Sequence, residues 1–254
     1  MNNKSLVEQL QKNLKDKDEF FCIIGHEIKN YIHASYFTID YLQQDYDKID
    51  DETRKQLIST ISKSVDSLRY LANDLFDFAK FNLGQLDFDF HDIDFLQIIN
   101  KVIEYSRTTF LVNKNLSIIF ENDELDKAIV FGNSMRIEQL LMNLFINAIK
   151  YSHNGTVILT LSLTDINDIN YWQFAISDQG IGIPVDEFKY VFDPFFRSST
   201  SKNLTSGSGL GLAISKKIVE AHNGKIEVRN NIDKGTTFIF ILPVLKKLDE
   251  DISI

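Results

Sequence analysis

A histidine and a glutamate, His26 and Glu27, stand side by side in "FFCIIGHEIKNYIHASY", Phe20 to Tyr36. Neutral imidazole is an abundant nucleophile near neutral pH, and an adjacent carboxylate can draw on its ring proton. Zinc is the competing chemistry, since two imidazoles at i and i+4 on a helix, with a glutamate between, bind that metal. Here position i+4 is Asn30, and His33 lies about two turns beyond His26. The one cysteine, Cys22, belongs to no Cys-x-x-Cys pair, so the spacing argues against a metal. At about 100° per residue, Phe21, Ile24, Ile28, Tyr31 and Ile32 form one apolar stripe and His26 points away from it. An exposed nucleophile and a plain surface histidine both fit that placement.

A second group of residues offers different chemistry. Asn143, Asn147 and Lys150, spaced four and three apart, put two amides and an ammonium along one edge of an amphipathic helix, "MRIEQLLMNLFINAIKYS". Amide oxygens suit a hard cation such as Mg²⁺, and an ammonium suits a phosphate. Two glycine-dense loops follow. In "DQGIGIP", Asp178 to Pro184, the aspartate could accept a hydrogen bond from an exocyclic amine, while Gly180 and Gly182 let backbone approach a flat ring. In "GSGLGLAIS", Gly207, Gly209 and Gly211 lead into a helix N-terminus, where amides point outward and anions bind. Neither loop has the spacing of a P-loop or a Rossmann fingerprint. Together with the amide helix they compose a nucleotide site.

The elements that must hold these groups fall into two sets. The residues from about Ser5 to Gln44 read as one long helix, interrupted by the acidic stretch Asp45 to Glu52, with Asp50 or Asp51 as N-cap of the next helix. That second helix carries Ile61, Val65, Leu68, Ala72, Leu75 and Ala79 at alternating four- and three-residue steps, and it stops near Gly84. A lone helical hairpin leaves apolar surface bare, and a second copy would cover it as a four-helix bundle. Beyond Gly84 the pattern changes. "LDFDFHDIDF" alternates as a strand, Phe95 to Asn113 is helical, and "LSIIFE" and "AIVFG" are short strands. Ser134 caps the amide helix, "TVILTLSL" and "YWQFAIS" pair across a polar turn, and Val185 to Val191 is a small helical piece. Leu210 to His222 is a helix closed by Asn223-Gly224, and "KIEVRN" with "TTFIFILP" forms a last hairpin. The fold class is α+β: a helical hairpin at 1–84, an α/β sandwich with a mixed sheet at 85–246, and a tail at 247–254.

Composition narrows the partners. The 254 residues, 44% hydrophobic and 25% charged, suffice for one large or two small cores. A net charge of −9, with no basic run beyond Lys246-Lys247, argues against nucleic acid. No apolar segment approaches the roughly 20 residues that span a bilayer, which with a single thiol leads us to expect a cytoplasmic protein.

"NLFINAIKYS", "DQGIGIP", "VFDPFFR" and "GSGLGLAISKKIVEAHNG" resemble, in order and spacing, the N, G1, F and G2 boxes of sensor histidine kinases, and "GHEIKN" resembles their H box. The resemblance covers about residues 15 to 243. It implies a dimerisation and phosphotransfer hairpin followed by an ATP-binding domain of the Bergerat (GHKL) fold. It makes His26 the phosphorylated residue, Glu27 its acid-base partner, and Asn30 the type that positions water for phosphatase activity. Asn147 matches the Mg²⁺ ligand, with Asn143 beside it, and Lys150 and Tyr151 match phosphate and nucleotide contacts. Asp178 corresponds to the adenine-reading aspartate, with Gly180 and Gly182 shaping its pocket. Phe192, Phe195 and Phe196 would anchor the lid, and Arg197 would reach the γ-phosphate. Gly207, Gly209, Leu210 and Gly211 would cradle phosphates. The implied substrate is ATP with Mg²⁺. The implied partners are a second copy, the receiver domain of a response regulator, and an upstream sensor, since few residues precede His26 and few follow Pro243. Two positions depart from the pattern: Gly25 stands where serine is usual, and Tyr31 where proline is usual. A helix without that proline has less reason to bend near the histidine. A non-catalytic phosphotransfer scaffold and a Bergerat-fold ATPase are the rivals. The ATPase relatives carry a water-activating glutamate where this chain has Asn143.

Overall fold

The computed structural model describes residues 3–84, 89–109, 111, 115–122, 125–201 and 208–244. Two compact units result, Met1–Leu83 with Ser206–Leu210, and Gly84–Thr205 with Gly211–Ile254. The C-terminal tail proposed at 247–254 lies outside the described residues, as does Gly207.

The first unit is built on two helices, α1 (Asn3–Gln44) and α2 (Asp51–Asn82), joined through 45–50. Asp50 is the N-cap of α2: its carboxylate accepts from the Thr53 amide at 2.7 Å and from the Thr53 hydroxyl at 3.1 Å. Asp51 and Glu52 in the first turn add favourable charge at the positive end of the helix dipole. Arg54 fixes the connection by donating Nε and Nη2 to the Tyr46 carbonyl at 3.1 and 2.8 Å, with its guanidinium 4.6 Å from the Tyr46 ring centre. At the other end Leu83 donates its amide to the Ala79 carbonyl, and Gly84 takes a φ of +64°, a conformation that glycine adopts without strain. The expected apolar seams are only partly covered. On α1 Ile24 is buried, and on α2 the buried positions are Ser64 and Leu71, each one residue before the expected Val65 and Ala72, while Phe21, Ile32 and Val65 are half exposed or more, so the covered stripe of α2 is turned by one residue from the expected seam.

The second unit pairs two sheets with three helices, numbered on from the hairpin. Strand β1 (His91–Asp94) pairs antiparallel with β3 (Ile129–Gly132). The main sheet runs β2 (Asn115–Asn122), β4 (Asn154–Ile166), β5 (Ile169–Ser177), β7 (Thr236–Pro243), β6 (Lys225–Asn230), with β2–β4 parallel and the other pairs antiparallel. Helices α3 (Phe95–Thr109), α4 (Ser134–Tyr151) and α5 (Gly211–Ala221) pack in that order, and α4 and α5 reach the sheet. Their apolar faces enclose Phe95, Phe174 and Phe240, whose ring centres lie 5.1 to 6.0 Å apart.

Several sequence expectations need adjustment. The strand expected over "LDFDFHDIDF" is confined to His91–Asp94 among the described residues, and its residues 86–88 lie outside them. Helix α3 ends at Thr109, while 110 and 112–113 of its expected range are not described. The cap of α4 is Asn133, not Ser134: the Asn133 side chain accepts from the Arg136 amide at 3.0 Å, and Ser134 is the first helical residue. Both positions carry a capping residue, and only the backbone decides between them. Val185 to Val191 is a 3₁₀ turn at Val185–Glu187 followed by further turns. Helix α5 begins one residue after Leu210 and ends one before His222. The β4–β5 turn places Asn167 and Asp168 at φ 55° and 63°, the two-residue hairpin geometry that suits those residue types. Among the described residues no helix is long and apolar enough to cross a membrane.

Candidate functional site

Helix α4 buries Leu140, Leu141, Leu144, Phe145, Ala148 and Ile149, which leaves Asn143, Asn147 and Lys150 half-buried along its edge. The Asn143 amide nitrogen donates to the Gly211 carbonyl at 3.1 Å, tying α4 to the first residue of α5 and leaving its oxygen turned to other duty. Asn147 is half-buried one turn further along the same edge. The Lys150 ammonium sits 5.3 Å from the Tyr151 ring centre, a cation over an aromatic face.

Asp178 follows β5 and is 5% exposed. Its Oδ1 accepts from the Gly180 amide at 2.7 Å and the Thr236 amide at 3.2 Å, while Oδ2 takes none of the described hydrogen bonds. Burial pushes this carboxyl up to about 6, against the opposing pull of the two amides. One oxygen is therefore anchored and the other offered. The loop that continues from it is shaped less by freedom at glycine than by close packing. A Cβ on Gly180 would come within 2.6 Å of the Tyr151 carbonyl oxygen, so this glycine lets protein backbone approach the end of α4, where the sequence suggested a flat ring alone. Gly182 has a φ of +73° and needs the residue type for conformation.

The groups that hold this loop did not stand out in the sequence. Asn230, at the end of β6, accepts from the Ile183 amide at 3.1 Å and donates to the Ile183 carbonyl at 2.7 Å. Asn231 donates to the Asp178 carbonyl at 2.8 Å and to the Ser177 hydroxyl at 2.9 Å, and its oxygen accepts from the Thr237 hydroxyl. Gln179 accepts from the Thr156 amide at 3.1 Å and so pins the loop to β4 as well. The signal was present as two consecutive asparagines closing a strand before a turn, but an Asn-rich turn has many uses.

Around the segment 191–201, Phe192 meets the buried Phe238 edge-on at 6.3 Å, Phe196 lies 6.0 Å from Tyr190, and Phe195 takes a φ of 71°. Arg197 is half-buried. Glu187 accepts from the Ser199 amide, and the Thr200 hydroxyl donates to the Gly182 carbonyl at 3.4 Å. Gly209 has a φ of +70° and with Leu210 leads into α5, while the Gly211 carbonyl also accepts from the Ser215 hydroxyl at 2.8 Å.

The helical unit presents the other group. His26 is exposed on α1, Glu27 is buried, and the Asn30 amide nitrogen lies 3.1 Å from His26 Nδ1.

Residues 132–246 match the family described as histidine kinase-, DNA gyrase B- and HSP90-like ATPase. The catalytic domain of histidine kinase ThkA is 30% identical, with a TM-score of 0.53 over 61% of this chain and 98% of that one. The chain belongs to the sensor histidine kinase family. Curated sensor kinases extend the likeness through the hairpin. The autoinducer 2 sensor kinase/phosphatase LuxQ of Vibrio parahaemolyticus is 30% identical over 239 residues, 93% of this chain and 27% of that relative. Sensor protein kinase WalK of Staphylococcus aureus is 30% identical over 243 residues, 93% of this chain and 56% of its own length. This sensor histidine kinase chain thus spans about a quarter of LuxQ and little more than half of WalK.

Proposed function

We propose that this chain is an ATP-dependent, autophosphorylating histidine kinase that phosphorylates His26 and passes the phosphoryl group to an aspartate on the receiver domain of a response regulator. The observation that carries the reading is the buried Asp178 carboxylate, with Oδ1 fixed by two backbone amides and Oδ2 left to accept the exocyclic amine of adenine. The donor set on α4 fits a magnesium ion: Asn147 supplies a half-buried amide oxygen, and Asn143 stands one turn away. Bound there, Mg²⁺ would neutralise charge on the phosphate oxygens. Lys150 and Arg197 add positive charge for the γ-phosphoryl group, and Gly209, Leu210 and Gly211 bring the amides at the start of α5 to the phosphates. His26 supplies the attacking ring nitrogen, and Glu27 draws on the ring proton.

The exposed Phe21, Tyr36, Phe37, Ile58, Val65 and Phe76 on the two helices support a homodimer through the hairpin, since so much apolar surface on one small unit favours a second copy. Phosphatase activity through Asn30, an upstream sensor as input and a cytoplasmic site of action, where ATP is supplied, complete the reading.

The test is incubation with γ-labelled Mg-ATP beside His26→Gln. We expect label that is acid-labile, alkali-stable and lost in the variant. Nucleotide binding without label in the wild-type chain would refute the kinase and favour the phosphotransfer scaffold.

A further inference from the structure

Asn30 stands four residues after His26 and therefore on the same face of α1, one turn along. Its amide nitrogen lies 3.1 Å from Nδ1 of the imidazole, and this is the ring's hydrogen-bond partner among the described residues. Nε2, the outer nitrogen, carries no partner there and faces solvent with the exposed side chain. A neutral imidazole has one N–H and one lone pair, and whatever occupies Nδ1 decides which of the two stands at Nε2.

The consequence for attack on phosphorus is direct. When the Asn30 NH₂ donates to Nδ1, the ring proton must be on Nε2, and the outer nitrogen cannot act as a nucleophile. An amide turned by 180° has nearly the same shape and exchanges donor for acceptor. With Oδ1 in place of Nδ2, Asn30 accepts from Nδ1–H and Nε2 exposes its lone pair.

We propose that Asn30 sets the tautomer of His26, and that rotation of its amide converts Nε2 from a proton donor into the attacking atom. This rests on the kinase reading for its kinetic part only. In the step itself the Nε2 lone pair forms the N–P bond and the bond from the γ-phosphorus to the β,γ-bridging oxygen breaks. ADP leaves with that electron pair. The proton on Nδ1, held by Asn30 Oδ1 before attack, leaves the phosphorylated ring for the Glu27 carboxylate that the kinase reading assigns to it. Asn30 is a positioning residue: it touches neither ATP nor the transferred group.

The test uses the full chain labelled with ¹⁵N-histidine. It contains five histidines, and His26 is identified by the resonances missing in His26→Gln. Two-bond proton–nitrogen spectra at about pH 9, where an imidazole of ordinary pKa is neutral, read the tautomer directly. Asn30→Asp can only accept at that pH and should hold the ring as Nδ1–H, whereas Asn30→Ala should release it. In parallel, initial rates of ATP labelling should separate kcat from KM. Asn30→Asp should exceed Asn30→Ala in kcat by about fivefold, the worth of one net hydrogen bond, at an unchanged KM for ATP. The proposal is overturned if the three proteins share one tautomer, or if Asn30→Asp populates Nδ1–H and still reacts no faster than Asn30→Ala. If the wild-type chain takes no label at all, the kinase reading fails by itself and the spectra still decide what Asn30 does to the ring.

Discussion

Replacing Asp178 by asparagine should strengthen the sheet unit and disable its nucleotide site at once. The substitution keeps Oδ1, which continues to accept from the Gly180 and Thr236 amides, and exchanges only Oδ2 for NH₂. A carboxyl lifted from 3.8 to about 6 by burial is disfavoured as the anion on folding by on the order of 3 kcal/mol at pH 7.5. The sign follows from proton binding: between those two values the folded chain holds more protons than the unfolded chain, so wild-type stability rises as pH falls through about 6. Asp178→Asn removes that dependence. It should be more stable by about 3 kcal/mol at pH 7.5, or roughly 5–10 °C in Tm for a unit of this size, and by about 1 kcal/mol at pH 4.5. Trp172 is the single tryptophan, buried on β5 with its indole N–H donated to the Ile129 carbonyl at 3.0 Å, so its fluorescence follows this unit and not the hairpin. In calorimetric titration the variant should bind Mg-ATP roughly 10- to 100-fold more weakly, because an amide NH₂ would oppose the exocyclic amine. An equal or lower melting temperature at pH 7.5, or a gap that does not close with acid, would refute the reasoning.

Other consequences can be checked with the same tools. His222 does not titrate as a surface imidazole would: burial lowers its pKa, Nδ1–H donates to the Ile218 carbonyl at 2.7 Å and Nε2 accepts from the Asn133 amide at 3.0 Å. Its unfolded form takes a proton near pH 6.5 and its folded form only below that, so stability present above 6.5 should be lost as pH falls, most clearly in Asp178→Asn melts, where the opposing carboxyl is gone. Gly235→Ala should destabilise the sheet unit by about 3 kcal/mol or more, since φ is +96° and a Cβ would fall 2.0 Å from the Asp178 carbonyl oxygen; a melt within about 1 °C of wild type would exclude this. Asn230→Ala should raise the KM for ATP several-fold at unchanged kcat, because it frees Ile183 and the loop beyond Asp178 without touching the transferred group. A fall in kcat at constant KM would place Asn230 elsewhere in the reaction.

Much of this arrangement was legible in the residues because the signals are local. Period 3.6 in α4, alternation in β5 and β7, and Asn223-Gly224 after α5 each follow from backbone geometry within one element. Asp178 stood out as an acid between a strand and a glycine loop, and the structure buries it there; Asn147 stood out only through its spacing from Asn143 and Lys150 on one helix edge, where the structure leaves it half-buried. What stayed hidden is pairwise and distant in sequence. The bond from Asn133 to His222 joins residues 89 apart, and that from Asn230 to Ile183 joins residues 47 apart. Neither member of such a pair advertises the other, and a lone histidine or asparagine has many ways to be satisfied. The one-residue displacement of the α4 cap has the same root, since Asn133 is fixed by Asp89 and His222 as well as by its own helix.

The tip between β6 and β7 carries Ile232 wholly exposed, one residue beyond the Asn230–Asn231 pair that grips the loop following Asp178. A dye attached through Ile232→Cys, in a Cys22→Ser background, would ride on that grip without entering the pocket. On the proposed reading of Asp178, its polarisation would track nucleotide binding in real time, turning this hairpin into an optical gauge in a chain whose own tryptophan is buried in the sheet.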